Sequence, residues 1–251
     1  MPILLGLVWA GLPWLSLLVG LVAVVAVREF YRLGHALGAK PMVPFGMAWT
    51  LAMIANGHYG ASFTVPVVGA GIVASLVFLL WRRRADGALA DWASTLTGAL
   101  YIGWPLSHAL LIRELDSGRA WLLYAILVTF ATDTAAFFVG RALGRRKMAP
   151  SISPGKTWEG GLGGLTGAIL ASLSLYYILS LPMHLWAALL MGAGIGVAAQ
   201  VGDLAESLLK RSAGVKEAGT VIPGHGGVLD RLDSLVFTLL LVYYVVAWAQ
   251  A

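Results

Sequence analysis

Residues Ser207 to Asp233, SLLKRSAGVKEAGTVIPGHGGVLDRLD, hold the densest set of reactive side chains in the sequence. Lys210, Arg211 and Lys216 precede a Gly/Pro/His turn, and Asp230-Arg231-Leu232-Asp233 follows it. Ammonium and guanidinium groups hold phosphate, and carboxylates hold hard divalent cations. Together they make a phosphoryl-transfer site. Just upstream, helical spacing places Asp203, Ser207 and Lys210 on one face, with Glu206 on its flank. Acids one turn apart in an apolar span are costly unless paired, hydrated or metal-bound. An ion pair between Asp203 and a lysine or arginine is the plainer alternative. The glycines of Pro223-Gly224-His225-Gly226-Gly227 let main-chain N–H groups approach an anion closely. Asp230 and Asp233, at i and i+3 where the last span starts, suit Mg²⁺ together with substrate phosphates and water. Helix capping would explain one of those two acids as well.

Two further segments carry candidates. Asp133 lies about two turns inside one end of the fifth apolar run, where a buried acid is a site candidate by default; a hydrogen bond to a neighbouring helix is the alternative. Ser153-Pro154-Gly155-Lys156-Thr157-Trp158-Glu159 contains Gly-Lys-Thr, but proline at position 150 stands where a Walker A loop needs glycine. Lys156 sits just before a helix, where its ammonium and the first N–H groups would bind phosphate. Glu159 reads either as a capping-box acid for that helix, the favoured reading, or as a site carboxylate. His35, His58, His108 and His184 are isolated, and His108 is expected to be a hydrogen-bonded bundle residue.

The elements that must hold these residues are membrane helices. Of 251 residues, 59% are hydrophobic and only 12% charged, against about a quarter charged in soluble domains. Apolar runs near 3–27, 41–57, 64–81, 92–112, 120–140, 158–181, 184–208 and 231–249 approach the ~20 residues that cross a bilayer core. The fold class is therefore all-α, a polytopic helical bundle of about eight spans forming one membrane domain over residues 1–251. Residues 1–115 read as scaffold and 116–251 as the part that carries the chemistry. The second and third runs are short and could tilt, merge or re-enter. The first run lacks a basic leader and a clear cleavage site and reads as a retained span. The absence of cysteine excludes disulfides and thiol chemistry.

Eight spans put the loops at 28–40, 82–91, 141–157 and 209–230 on one side. With Arg231 they hold fifteen of the 17 Lys and Arg residues, leaving Arg113 and Arg119 opposite. Positive charge marks the cytoplasmic side, so both termini are expected outside. Trp81, Trp92, Trp121, Trp158 and Trp186 near the span ends are expected to form an aromatic belt. The net charge of +5 is a topology signal and needs no nucleic-acid partner. The first half shows Arg-rich loops and no acid inside a span, the second several. That asymmetry argues against an inverted-repeat transporter.

The sequence resembles the phosphatidate cytidylyltransferases, the CDP-diacylglycerol synthases. Ser207, Lys210, Arg211, Lys216, Gly219, Pro223, His225, Gly226, Gly227, Asp230, Arg231 and Asp233 fall in register with that family's C-terminal signature over 27 residues. The Asp133-Thr134, Ser153-to-Gly160 and Gly202-Asp203-Leu204 segments are also similar, so the resemblance covers about residues 130–235. Glu217 stands where the family usually has Asp, and Phe137 where Tyr is common. The resemblance implies CTP + phosphatidate → CDP-diacylglycerol + pyrophosphate, a cytoplasmic site and one or two Mg²⁺ ions; it makes a homodimer reasonable. It implies Asp203, Asp230, Asp233 and Asp133 as metal ligands, and Asp203, Asp230, Lys210 and His225 as the catalytic set. Lys156, Ser207, Arg211, Lys216, Gly226, Gly227 and Arg231 would bind substrate. An enzyme acting on another lipid (CDP-archaeol synthase-like or polyprenol kinase-like) is the near alternative, and an ion-coupled transporter a remote one.

Overall fold

A computed structural model describes residue 6 and residues 8–83, 85–219 and 226–250. The long helices are α1 (Leu12–Ala36), α2 (Val43–His58), α3 (Thr64–Trp81), α4 (Ala88–Glu114), α5 (Gly118–Leu143), α6 (Trp158–Ile178), α7 (Leu185–Ser212) and α8 (Asp233–Gln250). A short antiparallel hairpin, β1 (Lys147–Ala149) and β2 (Ser153–Thr157), precedes α6, and a 3₁₀ turn at Leu229–Arg231 precedes α8. All of the helices but α2 are long and apolar enough to cross a membrane. The 16 residues of α2 fall just below the roughly 17–25 that span a bilayer core. The protein is an all-α polytopic membrane protein.

The chain forms two compact units. One comprises Met1–Leu111 with Leu209–Arg231, the other Ile112–Leu208 with Leu232–Ala251. In the first, α1 packs on α2 and α2 on α3. Tyr31 is fully buried, donates to the Thr95 carbonyl at 2.9 Å, and fills the space beside Gly46 and Gly98. Trp49 packs over Gly71 and donates to the Val67 carbonyl at 3.0 Å.

In the second unit small residues let helices meet closely, as expected where lipid supplies no hydrophobic drive for association. Gly160, Gly163, Gly164 and Gly167 of α6 lie against Ala135, Ala136, Val139 and Gly140 of α5. Gly192 and Gly196 of α7 meet Ser172 and Ala168, and Gly202 meets the main chain of α8 at Asp233. Buried hydroxyls find partners: Tyr124 and Ser172 at 2.6 Å, Thr129 and Thr238 at 3.0 Å.

Several expectations change. After a helical stretch that includes Val8–Ala10, α1 begins at Leu12, following Gly11 with its left-handed φ of 103° and with Pro13 in its first turn. It continues to Ala36, so Arg28 and Arg32 are helical, because charged residues end an apolar run without ending a helix. Lys210 and Arg211 are helical for the same reason. The segment expected as a loop before α6 contains the hairpin. Trp121 is buried at 3% exposure and serves packing rather than a belt. The first half does hold buried acids: Glu29, and Asp91, which accepts the Lys40 N–H at 2.5 Å.

A methyl group on Gly202 would press on the Asp233 carbonyl oxygen, whereas one on Gly69 meets nothing within 4 Å. Gly202→Ala should lower the thermal midpoint in detergent by several degrees, the signature of ~1–3 kcal/mol of overpacking. Gly69→Ala should leave it unchanged or raise it slightly.

Candidate active site

β2 runs straight into α6, and Thr157 at the junction is extended, with φ −127° and ψ 155°. Its hydroxyl oxygen accepts the Gly160 N–H at 3.1 Å and so caps the helix. Glu159 binds main-chain N–H groups, its own in the first turn of α6 among them. It accepts the Arg145 N–H at 3.0 Å and the Arg146 N–H at 3.2 Å, tying the chain before β1 to the start of α6. Lys156 therefore projects from a main chain fixed on both sides.

The Lys156 ammonium lies 2.8 Å from Asp203 Oδ2 on α7, with the two side chains 24% and 34% exposed. This is the ion pair that stood as the alternative reading of Asp203. Both residues line a cavity of about 420 Å³, together with Asp133, Arg141, Thr157 and Gln200. Phe137, Met148 and Leu204 give the same cavity apolar wall. Asp133 is exposed to this space instead of buried, and its Oδ1 accepts from Ser234 Oγ at 3.3 Å. The position usually bearing a tyrosine hydroxyl thus faces the cavity as the ring of Phe137.

Asp133, Asp203, Glu206 and Asp233 all belong to this unit and lie within electrostatic reach. Asp233 senses Asp203, Glu206 and Asp133, and Asp133 senses Asp203 and Lys156. Carboxylates gathered together repel one another. Among the described residues no three His, Asp or Glu side chains converge as a metal cage. Mg²⁺ usually takes only one or two protein carboxylates and completes its shell with phosphate and water. The oxygen donors here fit that ion.

The first unit holds a second pair. Lys210 Nζ donates to Asp230 Oδ1 at 2.6 Å, with side chains 11% and 7% exposed. Asp230 Oδ2 also accepts the Gly227 N–H at 2.7 Å and the Ala218 N–H at 3.0 Å. Burial alone would raise the Asp230 carboxyl, but the Lys210 hydrogen bond and these N–H groups outweigh it and hold the group below its ordinary 3.8. With these donors in place the carboxylate has little acceptor capacity left for another ligand.

The remaining candidates are spread around these two clusters. Ser207 Oγ makes a long 3.4 Å contact to Asp203 Oδ1. Arg211 donates to the Val215 carbonyl at 2.9 Å, and Lys216, Glu217 and Arg231 are exposed. Gly226 takes φ +80° beside Asp230. His225, Pro223 and Gly224 lie outside the described residues. His108 is buried and bonds the Trp104 carbonyl at 2.7 Å.

Glu29 is the residue that sequence reasoning missed. At 1% exposure it accepts the Leu229 N–H at 2.8 Å, 200 residues away in sequence. The available signal was its period: Ala26, Phe30 and Leu33, its neighbours on one helical face, are all buried. Taking Arg28 as the start of a loop hid it.

Residues 1–249 match the sequence profile of a family described as the Cytidylyltransferase family. A phosphatidate cytidylyltransferase of Brucella suis is 36% identical over 202 residues, 79% of this chain and 72% of that protein. One from Synechocystis is 33% identical over 263 aligned positions, covering 93% and 88% of the two chains. The Bacillus subtilis enzyme of that name is 42% identical over 150 residues, 59% of this chain; the match spans 56% of the Bacillus protein.

The lowered Asp230 carboxyl makes an acid-range prediction. A folded-state value below the unfolded one adds stability above ~pH 4, and that stability is lost as pH falls through the folded value. The thermal midpoint of the wild type should therefore exceed that of Asp230→Asn at pH 7. Melting curves taken down to pH 3 should show the gap narrowing.

Proposed function

The chain belongs to the Cytidylyltransferase family, and we propose that it catalyses CTP + phosphatidate → CDP-diacylglycerol + pyrophosphate in the membrane. One observation carries this reading beyond the relatives' names. The Lys156–Asp203 pair and Asp133 line a cavity that also has apolar walls, within a unit built of apolar helices. Such a cavity suits a headgroup phosphate whose acyl chains stay in lipid.

In the reaction a phosphatidate oxygen forms a bond to the α-phosphorus of CTP. The bond from that phosphorus to the oxygen bridging the β-phosphorus breaks, and pyrophosphate leaves with the electron pair. The nucleophile is already ionised at neutral pH, so a strong base is unnecessary. The barrier lies in bringing two polyanions together and stabilising the leaving group. Lys156 would neutralise phosphate charge, and Asp203 keeps its ammonium from wandering. Asp203 and Asp133, with Asp233 beside them, would hold Mg²⁺, which when bound offsets phosphate charge and orients the polyphosphate. In the first unit, Lys210, Arg211, Lys216 and Arg231 would be the groups to bind phosphate. Asp230 would act by positioning Lys210, since its own oxygens carry three donors. His225 would donate a hydrogen bond to phosphate. The Lys/Arg-bearing loops would face the cytoplasm, and both termini would lie outside with α2 crossing as an eighth, short span.

Pyrophosphate release by purified protein in detergent should require CTP, phosphatidate and Mg²⁺ together, with CDP-diacylglycerol formed in equal amount. Release without the lipid would mean hydrolysis, and undiminished turnover in excess chelator would remove the metal role. Asp203→Asn and Lys156→Met should each lower kcat by ~10²-fold or more with the protein still folded. Retained kcat in both would move the chemistry away from this cavity.

A further inference from the structure

The Glu29 carboxylate sits beside two separate stretches of the signature loop, at Gly219 and at Gly227. A Cβ on Gly227 would lie 2.5 Å from Glu29 Oε2 and 2.7 Å from its Cδ; one on Gly219 would lie 2.6 Å from Cδ and 3.0 Å from Cγ. These two glycines leave room for a carboxylate, which accounts for glycine at both positions without any appeal to phosphate. Glu29 Oε2 then takes the Leu229 N–H at 2.8 Å, while Oε1 has no hydrogen-bond partner among the described residues.

The residues that Glu29 touches adjoin the ones that hold Asp230. Ala218, next to Gly219, gives its N–H to Asp230, and Gly227 itself gives another. Leu229 directly precedes Asp230, and Asp230 binds Lys210. A buried acid is expensive to keep in a helix this apolar, and this one bonds a main-chain group of the loop.

We propose that Glu29 is a positioning residue for the Lys210–Asp230 pair, fixing Gly219, Gly227 and Leu229 so that the Ala218 and Gly227 N–H groups meet Asp230. It acts through Asp230 and touches no substrate. The kinetic consequence rests on the cytidylyl-transfer reading, but the structural coupling does not.

The test compares Glu29→Gln, which keeps the shape and an acceptor for Leu229, with Glu29→Asp, which withdraws the carboxylate by one methylene. Glu29→Asp should lower kcat ~10-fold or more with KM for CTP and phosphatidate changed less than ~3-fold, and Glu29→Gln should recover most of kcat. Equal loss in both variants, or wild-type kcat in Glu29→Asp, would overturn the proposal.

A thermal-unfolding cycle of Glu29→Asp, Asp230→Asn and the double variant needs no activity. Shifts that sum to clearly more than the double variant's shift support the coupling, and additive shifts refute it. A wild type that releases no pyrophosphate would count against the proposed reaction, and the thermal cycle would then decide the role of Glu29.

Discussion

Carboxylates withdrawn from water must be given donors, and in this protein that requirement organises both clusters of polar residues. Asp230 draws on an ammonium and two main-chain N–H groups, and Glu29 on a third N–H one residue away. These bonds join segments far apart in sequence: the first helix, the end of α7 and the turn before α8. A loop rich in glycine has little shape of its own, since each glycine gives up more chain freedom on ordering than any other residue. The buried acids supply the shape.

The second unit meets the same requirement differently. Lys156 pairs with Asp203, while Asp133 leans on Ser234 and opens to a cavity. The glycine stripe of α6 brings α5 close to the hairpin that carries Lys156, and Thr157 both caps α6 and packs beside Gly140 and Gly144. Helix packing and placement of the charged group are thus one construction.

Much of this was legible in the sequence because lipid imposes a simple code. The apolar runs at 64–81 and 158–181 match α3 and α6 closely, since a membrane helix must be apolar for most of its length. Asp203, Lys156 and Asp133 could be singled out because charge is rare in such runs. The code reads hydrophobicity, however, and helices obey main-chain hydrogen bonding. It therefore stopped α1 at Arg28, hid Glu29 in a supposed loop, and divided the chain into scaffold and chemistry where Glu29 lies beside the signature turn. The roles of Gly219 and Gly227 were out of reach for a related reason. A glycine in a sequence does not say whether its missing side chain makes way for a ligand or for another residue of the same chain.

The short helices of the first unit have a consequence of their own. At 1.5 Å per residue, α2 and α3 rise ~24 and ~27 Å, less than the ~30 Å of a typical hydrocarbon core. Most of α3 is uncovered by the rest of its unit, with only Gly71 and Ser75 buried, so it presents an apolar surface to the membrane. A bilayer adapts to a short helix by thinning around it, at a modest penalty for each ångström of mismatch. A thin membrane accommodates this helix with less deformation than a thick one, so the lipid surrounding the protein is itself a determinant of how firmly α3 is seated.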